Sequence, residues 1–140
     1  DRLGVAILKN GEVFYPNGNQ IGLLMLYYIL SNSKLPKNPY IIKTIVTSEL
    51  LSEVAKSFKV TTYNTLTGFK WICRKLKDLD EAGFIFGTEE SFGYLNHPFV
   101  RDKDGVSSVA LMAEVALWYK TRGMDLVDGL DEIYTKSVDI

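Results

Sequence analysis

Apolar positions along the chain fall into short strand-like runs separated by segments with helical spacing. Residues 3–8 and 13–15 are apolar and flank Lys9-Asn10-Gly11. Asn-Gly between two such runs predicts a β-hairpin, because both residues accept the positive φ of a tight hairpin turn. Pro16-Asn17-Gly18-Asn19 breaks the second strand and caps a helix over residues 20–31. Residues 33–39 read as a loop and 40–46 as a buried strand, with Thr47 or Ser48 able to cap the next segment. There Leu50, Leu51, Val54, Ala55 and Phe58 keep helical spacing. A β-rich run follows at 59–63. Thr67-Gly68 then opens a helix whose apolar face is Phe69, Ile72, Cys73 and Leu76. Gly83 ends a turn before the strand Phe84-Ile85-Phe86. A long helix starts near Asp104 with Val106, Val109, Ala110, Ala113 and Leu117 as its expected core face, and a last helix covers 125–136. Strands alternating with helices predict an α/β fold: a three-layer α/β/α sandwich with a small mixed sheet, preceded by a β-hairpin.

The helix at 20–31 is apolar almost all round and needs cover on two sides. A small sheet supplies one, so a neighbouring domain or subunit is expected on the other. The chain opens on the charged pair Asp1-Arg2, leading straight into a strand. Both features read as part of something larger.

With 46% hydrophobic and 24% charged residues in 140, the chain can bury the core of one domain. Its net charge of −1 argues against a broad nucleic-acid surface but allows a local basic cluster to hold one phosphate. The longest apolar run, residues 21–30, is too short to span a bilayer, and the N-terminus lacks a signal-peptide pattern. Cys73, the single cysteine, cannot form an internal disulfide and fits a cytoplasmic location.

Three segments could carry chemistry. Gly87-Thr88-Glu89-Glu90-Ser91-Phe92-Gly93-Tyr94 follows a strand, where open α/β sheets place ligands. Its carboxylates and hydroxyl suit a polyhydroxylated ligand, and its glycines allow close approach; a solvated acidic turn is the commoner outcome for such a composition. In Arg101-Asp102-Lys103-Asp104, Asp104 can cap the long helix, while Arg101 and Lys103 near its N-terminus favour an anion. Thr67-Gly68-Phe69-Lys70 opens another helix with a hydroxyl and a lysine, without phosphate-loop spacing. Lys43 interrupts an apolar strand, which leaves three readings open: a strand edge, a snorkelling stem, or a functional group. His97 has no partners for a metal site, and Cys73 reads as packing.

Taken together these segments resemble the α-D-phosphohexomutases, the phosphoglucomutase/phosphomannomutase superfamily. Asp1-Arg2-Leu3-Gly4-Val5-Ala6 is similar to the end of that family's metal-binding loop. Gly18-Asn19-Gln20-Ile21-Gly22 resembles the opening of its third domain, and Thr67-Gly68-Phe69-Lys70 a ligand-facing turn. Glu89-Glu90-Ser91-Phe92-Gly93 looks like its sugar-specificity loop, and Arg101-Asp102-Lys103-Asp104-Gly105 like the segment after it.

The resemblance implies a hairpin at 1–16 from the end of domain II and a sugar-binding domain III at 17–140. It implies an intramolecular phosphotransferase in which a phosphoserine, helped by Mg²⁺, phosphorylates a hexose phosphate through a bisphosphate intermediate. Glu89 and Ser91 match the sugar-contacting positions, and Lys103 a residue for ligand contact or proton transfer. Lys43, Lys70 and Arg101 are further substrate contacts, Asp1 the last metal ligand, and Arg2 a residue near the phosphoserine. The loop looks closer to the phosphoglucomutase and phosphopentomutase-like branches than to the Gly-Glu-Met-Ser-Gly-His branch. With no Ser-His loop and one metal-loop aspartate, the 140 residues are expected to be inert alone and to bind no Mg²⁺ tightly. Expected partners are a hexose phosphate or bisphosphate and the enzyme's remaining domains, with no nucleic acid or membrane. A non-catalytic sugar-phosphate binding module and a subunit-interface domain are the competing readings.

Overall fold

The computed structural model describes residues 1–138, so the last two positions of the predicted second domain lie outside the described residues. Asn10 and Gly11 both take positive φ, 52° and 80°, and turn β1 (Ile7–Lys9) antiparallel onto β2 (Glu12–Phe14). The first strand is shorter than expected. Residues 3–6 instead run past a later loop, and the Leu3 N–H donates to the Phe92 carbonyl at 3.2 Å. Lys9 fastens the hairpin through Nζ contacts of 2.8 Å to Asp128 and 2.9 Å to Asp125. Hydrogen bonding to Asp128 and then to Asp125 raises the Lys9 pKa to about 12.

Helix α1 (Gly18–Asn32) begins with a capping box: Asn17 Oδ1 accepts from the Gln20 N–H while Gln20 Oε1 accepts from the Asn17 N–H, each at 2.9 Å. Four strands then form the main sheet: β3 (Tyr40–Thr44), β4 (Thr61–Thr65), β5 (Phe84–Glu89) and β6 (Gly93–Leu95), in spatial order β4-β3-β5-β6. The first three are parallel and β6 is antiparallel to β5. Helix α2 (Leu50–Ser57) links β3 to β4, and α3 (Phe69–Asp78) carries the chain back across β3 to β5. Right-handed crossovers running in opposite directions put their helices on opposite faces. Accordingly Phe69, Ile72 and Leu76 of α3 pack with Ile42 and Leu95 on one face. On the other, α1, α2, α4 (Gly105–Thr121) and α5 (Leu126–Val138) share a core containing Leu24, Leu51, Phe86, Val115 and Ile133. The result is the predicted three-layer α/β/α sandwich.

The structure corrects several expectations. The second side of α1 is covered from within the chain, by α4 and α5 packing over it, and not by an outside domain. The face expected to bury α4 is its outer one: Val106 is 83% exposed, Leu117 61% and Val109 57%, while Leu111, Met112, Val115 and Tyr119 are buried. Both stripes keep helical spacing, so periodicity could not choose between them; the bulkier side chains bury more apolar area and face inward. Strand β4 starts two residues late because Lys59, at φ 62°, still belongs to the end of α2, where the Val60 N–H donates to the Ala55 carbonyl. Lys43 is not at a sheet edge, since β3 is paired on both sides.

Exposure on α4 makes a direct prediction. Leu117→Lys should change unfolding free energy by no more than about 0.5 kcal/mol. Leu111→Ala, on the opposite side, should cost about 2–5 kcal/mol by urea denaturation.

Candidate functional site

The strand order reverses at β3: the chain moves outward to β4 and then back past β3 to β5. In open α/β sheets such a reversal leaves a crevice at the carboxyl ends of the strands. Thr44 ends β3 and Glu89 ends β5, so the acidic segment stands at that crevice. It is not the continuous loop expected. Gly87, Thr88 and Glu89 belong to β5, and Glu90-Ser91-Phe92 form the tip of a hairpin into β6. Phe92 turns the tip with φ 67°.

The alternation of a strand separates the two carboxylates. Glu90 Oε2 accepts hydrogen bonds from Thr44 Oγ1 at 3.0 Å and Thr47 Oγ1 at 3.2 Å, and is occupied structurally. Glu89 is only 4% exposed, yet its carboxylate oxygens are not among the buried polar atoms left without partners, so with no described side chain bonded to them they keep contact with solvent. A side chain on Gly87 would meet Ile72 of α3, and one on Gly93 would lie 2.6 Å from Glu89 Oε1. Glu89 therefore shares the α3 side of the sheet with these two glycines. Ser91 is half-buried at the hairpin tip.

Lys103 reaches the same side. Its Nζ lies 6.0 Å from the Phe69 ring centroid at the start of α3, 3.3 Å from Asp1 Oδ1 and 3.5 Å from Asp102 Oδ1. The Asp104 N–H donates to the Tyr94 carbonyl at 2.9 Å, which fastens this segment to the end of β6. Asp104 caps α4 as predicted, accepting from the Val106 and Ser107 N–H groups, and its other oxygen lies 2.9 Å from His97 Nε2. The His97 hydrogen bond holds the Asp104 carboxyl below its ordinary range; burial opposes it, and hydrogen bonds from Ser107 and Val106 add to the lowering.

The structure thus brings Glu89, Ser91, Lys103 and Asp1 to one end of the sheet, with the exposed Arg2 following Asp1. The other candidates lie apart. The side chain of Lys43 is fully enclosed on β3, and its Nζ donates to the carbonyls of Thr47 at 3.1 Å and Thr44 at 3.3 Å and to Glu49 Oε1 at 2.9 Å. That contact lowers the Glu49 pKa. Arg101 turns away along α3 to pair with Glu81, and also donates to the Pro98 carbonyl. Lys70 is exposed, with Nζ 5.1 Å from the Trp71 ring centroid. Asp1 stands alone as an oxygen ligand: no group of three His, Cys, Asp or Glu side chains among the described residues could hold a metal ion. The residues present do not make a Mg²⁺ site by themselves.

Sequence reasoning missed the anchors. Thr44 and Thr47, whose hydroxyls lie 2.6 Å apart, hold Glu90. Gly18, the first residue of α1, sits so close that a methyl group there would overlap the Glu90 carbonyl, and its own carbonyl accepts from Tyr94 Oη at 2.8 Å. Among these only Gly18 carried a signal, a glycine in a helix N-terminus.

The architecture defines the class as an α/β/α sandwich domain with an acidic hairpin at the strand ends of its sheet. The family model for phosphoglucomutase/phosphomannomutase α/β/α domain III matches residues 17–137. Phosphoglucomutases from Staphylococcus aureus strains USA300 and COL are each 42% identical over 136 residues, 96% of this chain and 25% of theirs. The chain therefore spans a quarter of the length of these curated relatives. A solved phosphoglucomutase/phosphomannomutase family protein from Burkholderia thailandensis superposes with TM-score 0.69 at 20% identity, covering 94% of this chain and 26% of that one. The chain belongs to the phosphoglucomutase/phosphomannomutase family, in its domain III region.

The contact between α1 and the hairpin tip yields a test. Gly18→Ala should destabilise the chain by about 1–3 kcal/mol through overpacking. Its amide spectrum should shift most at residues 90–92.

Proposed function

We propose that this chain supplies the sugar-hydroxyl-binding part of a phosphohexomutase, chiefly of the phosphoglucomutase type. One observation carries the reading: Glu89, a mostly buried residue, stands at the strand ends on the same side as Lys103, with its carboxylate engaged by no described side chain and still reached by solvent. A carboxylate at such an opening accepts hydrogen bonds from vicinal sugar hydroxyls in place of water. Ser91 at the hairpin tip adds a hydroxyl that donates or accepts. Lys103 contacts the ligand or exchanges a proton with the hydroxyl that gains or loses phosphate.

On this reading residues 1–16 form a unit distinct from 17–140, and Arg2 lies near the phosphoserine of the whole enzyme. Asp1 is one ligand of a Mg²⁺ site whose other ligands come from elsewhere, and nothing in this chain's own chemistry depends on it. Lys43, Lys70 and Arg101 would meet the ligand only in another arrangement: Lys43 by releasing Glu49, Arg101 by releasing Glu81. The Staphylococcus relatives at 42% identity support glucose over mannose phosphates. No described helix is long and apolar enough to cross a membrane; a buried free cysteine fits a cytoplasmic site of action.

Titration with glucose 1-phosphate, followed by amide shifts at residues 89–93, should show weak saturable binding. Glu89→Gln with Ser91→Ala should weaken it by about tenfold or more, the cost of two hydroxyl hydrogen bonds, one to a charged group. An equal response from the double variant would instead favour an interface domain with an idle acidic turn. The 140 residues alone should show no mutase turnover in a coupled assay.

A further inference from the structure

Lys70, Arg74 and Lys77 recur on α3 at steps of four and three, and so lie along one flank of the helix. Arg101 faces them from the segment before α4. Between the two walls runs a groove of 650 Å³, lined by these four cations with Cys73 and Asp78. The walls are held in place. Lys70 and Arg74 lie 5.1 and 5.8 Å from the Trp71 ring centroid, and Arg101 is anchored to Glu81 and to the Pro98 carbonyl. Even with Asp78, Glu81 and Asp102 counted against the four cations, the groove holds surplus positive charge in a chain whose net charge is −1.

We propose that this groove binds a small anion carrying two or more phosphate groups, at a site separate from the strand-end hairpin. Guanidinium groups match phosphate oxygens in pairs of parallel hydrogen bonds, and Lys70 and Lys77 add point charges at positions one helical flank apart. Arg101 spends two nitrogens on Glu81 and Pro98 and keeps further N–H groups for a ligand. The thiol at the groove wall is neutral: burial first, and the Asp102 charge second, push the Cys73 pKa up to about 11. It therefore adds no repulsion. The volume suits a phosphorylated small molecule and not a nucleic-acid duplex, which would demand a wide basic face. Lys70 and Arg101 are shared with the substrate contacts the family resemblance implies, but Arg74 and Lys77 are not, so variants at these two test the groove apart from the sugar site.

Inorganic tripolyphosphate is the probe, titrated by calorimetry into the 140-residue chain at about 0.15 M salt, where long-range attraction is screened. Arg74→Glu with Lys77→Glu should weaken binding at least about tenfold. Lys34→Glu with Lys37→Glu, an equal charge change in the exposed loop before β3, should weaken it less than about twofold. Arg74→Gln with Lys77→Gln repeats the comparison should charge reversal unfold α3. A loss shared by both pairs, a smaller loss at α3, or no saturable binding overturns the site. Glucose 1-phosphate shifts at residues 89–93 should be the same in the α3 variants; their absence with tripolyphosphate binding intact would sink the sugar site alone.

Discussion

An ammonium group with no access to water closes the carboxyl end of β3. Burying such a charge is tolerable only when acceptors surround it. Lys43 finds them in the Thr44 and Thr47 carbonyls and in Glu49, and that demand shapes the turn out of β3. The turn in turn presents the hydroxyls of Thr44 and Thr47, which capture Glu90. With Glu90 held on one side, the alternation of the strand leaves Glu89 on the other, facing α3. A fully enclosed lysine, paired with a carboxylate at the surface, thus shapes the turn that engages Glu90 and leaves Glu89 free.

Much of the fold was legible in the sequence because its signals were local. Asn10-Gly11 marked the hairpin, the break at residues 16–19 marked α1, which begins two residues earlier than expected, and Asp104 the start of α4, each through a turn or cap that needs only neighbouring residues. What failed was long-range. Spacing on α4 offered two stripes of equal period, and only the tertiary contacts of Leu111, Val115 and Tyr119 select the inner one. The site followed the same division. Glu89 and Ser91 stood out as chemistry near a strand end, and Lys103 near the N-terminus of the long helix. The bonds from Thr44 and Thr47 to Glu90 span more than forty residues, so no local pattern could announce them.

The placement of α1 also changes how the domain relates to its surroundings. An all-apolar helix is satisfied inside the sandwich, between the sheet and the α4–α5 pair. The unmatched apolar surface lies instead on the outer stripe of α4 and along the hairpin, where Leu8, Val13 and Tyr15 are exposed. Relatives four times as long have other chain segments to set against such surfaces, whereas the core of this domain makes no call on them.

The sulfur of Cys73 carries a quieter consequence. The thiolate is the form that attacks oxidants and alkylating agents. Burial pushes the Cys73 pKa up to about 11, so the neutral thiol dominates at neutral pH. Burial on α3 thus slows the reaction of this one cysteine with oxidants for as long as the helix stays seated on the sheet.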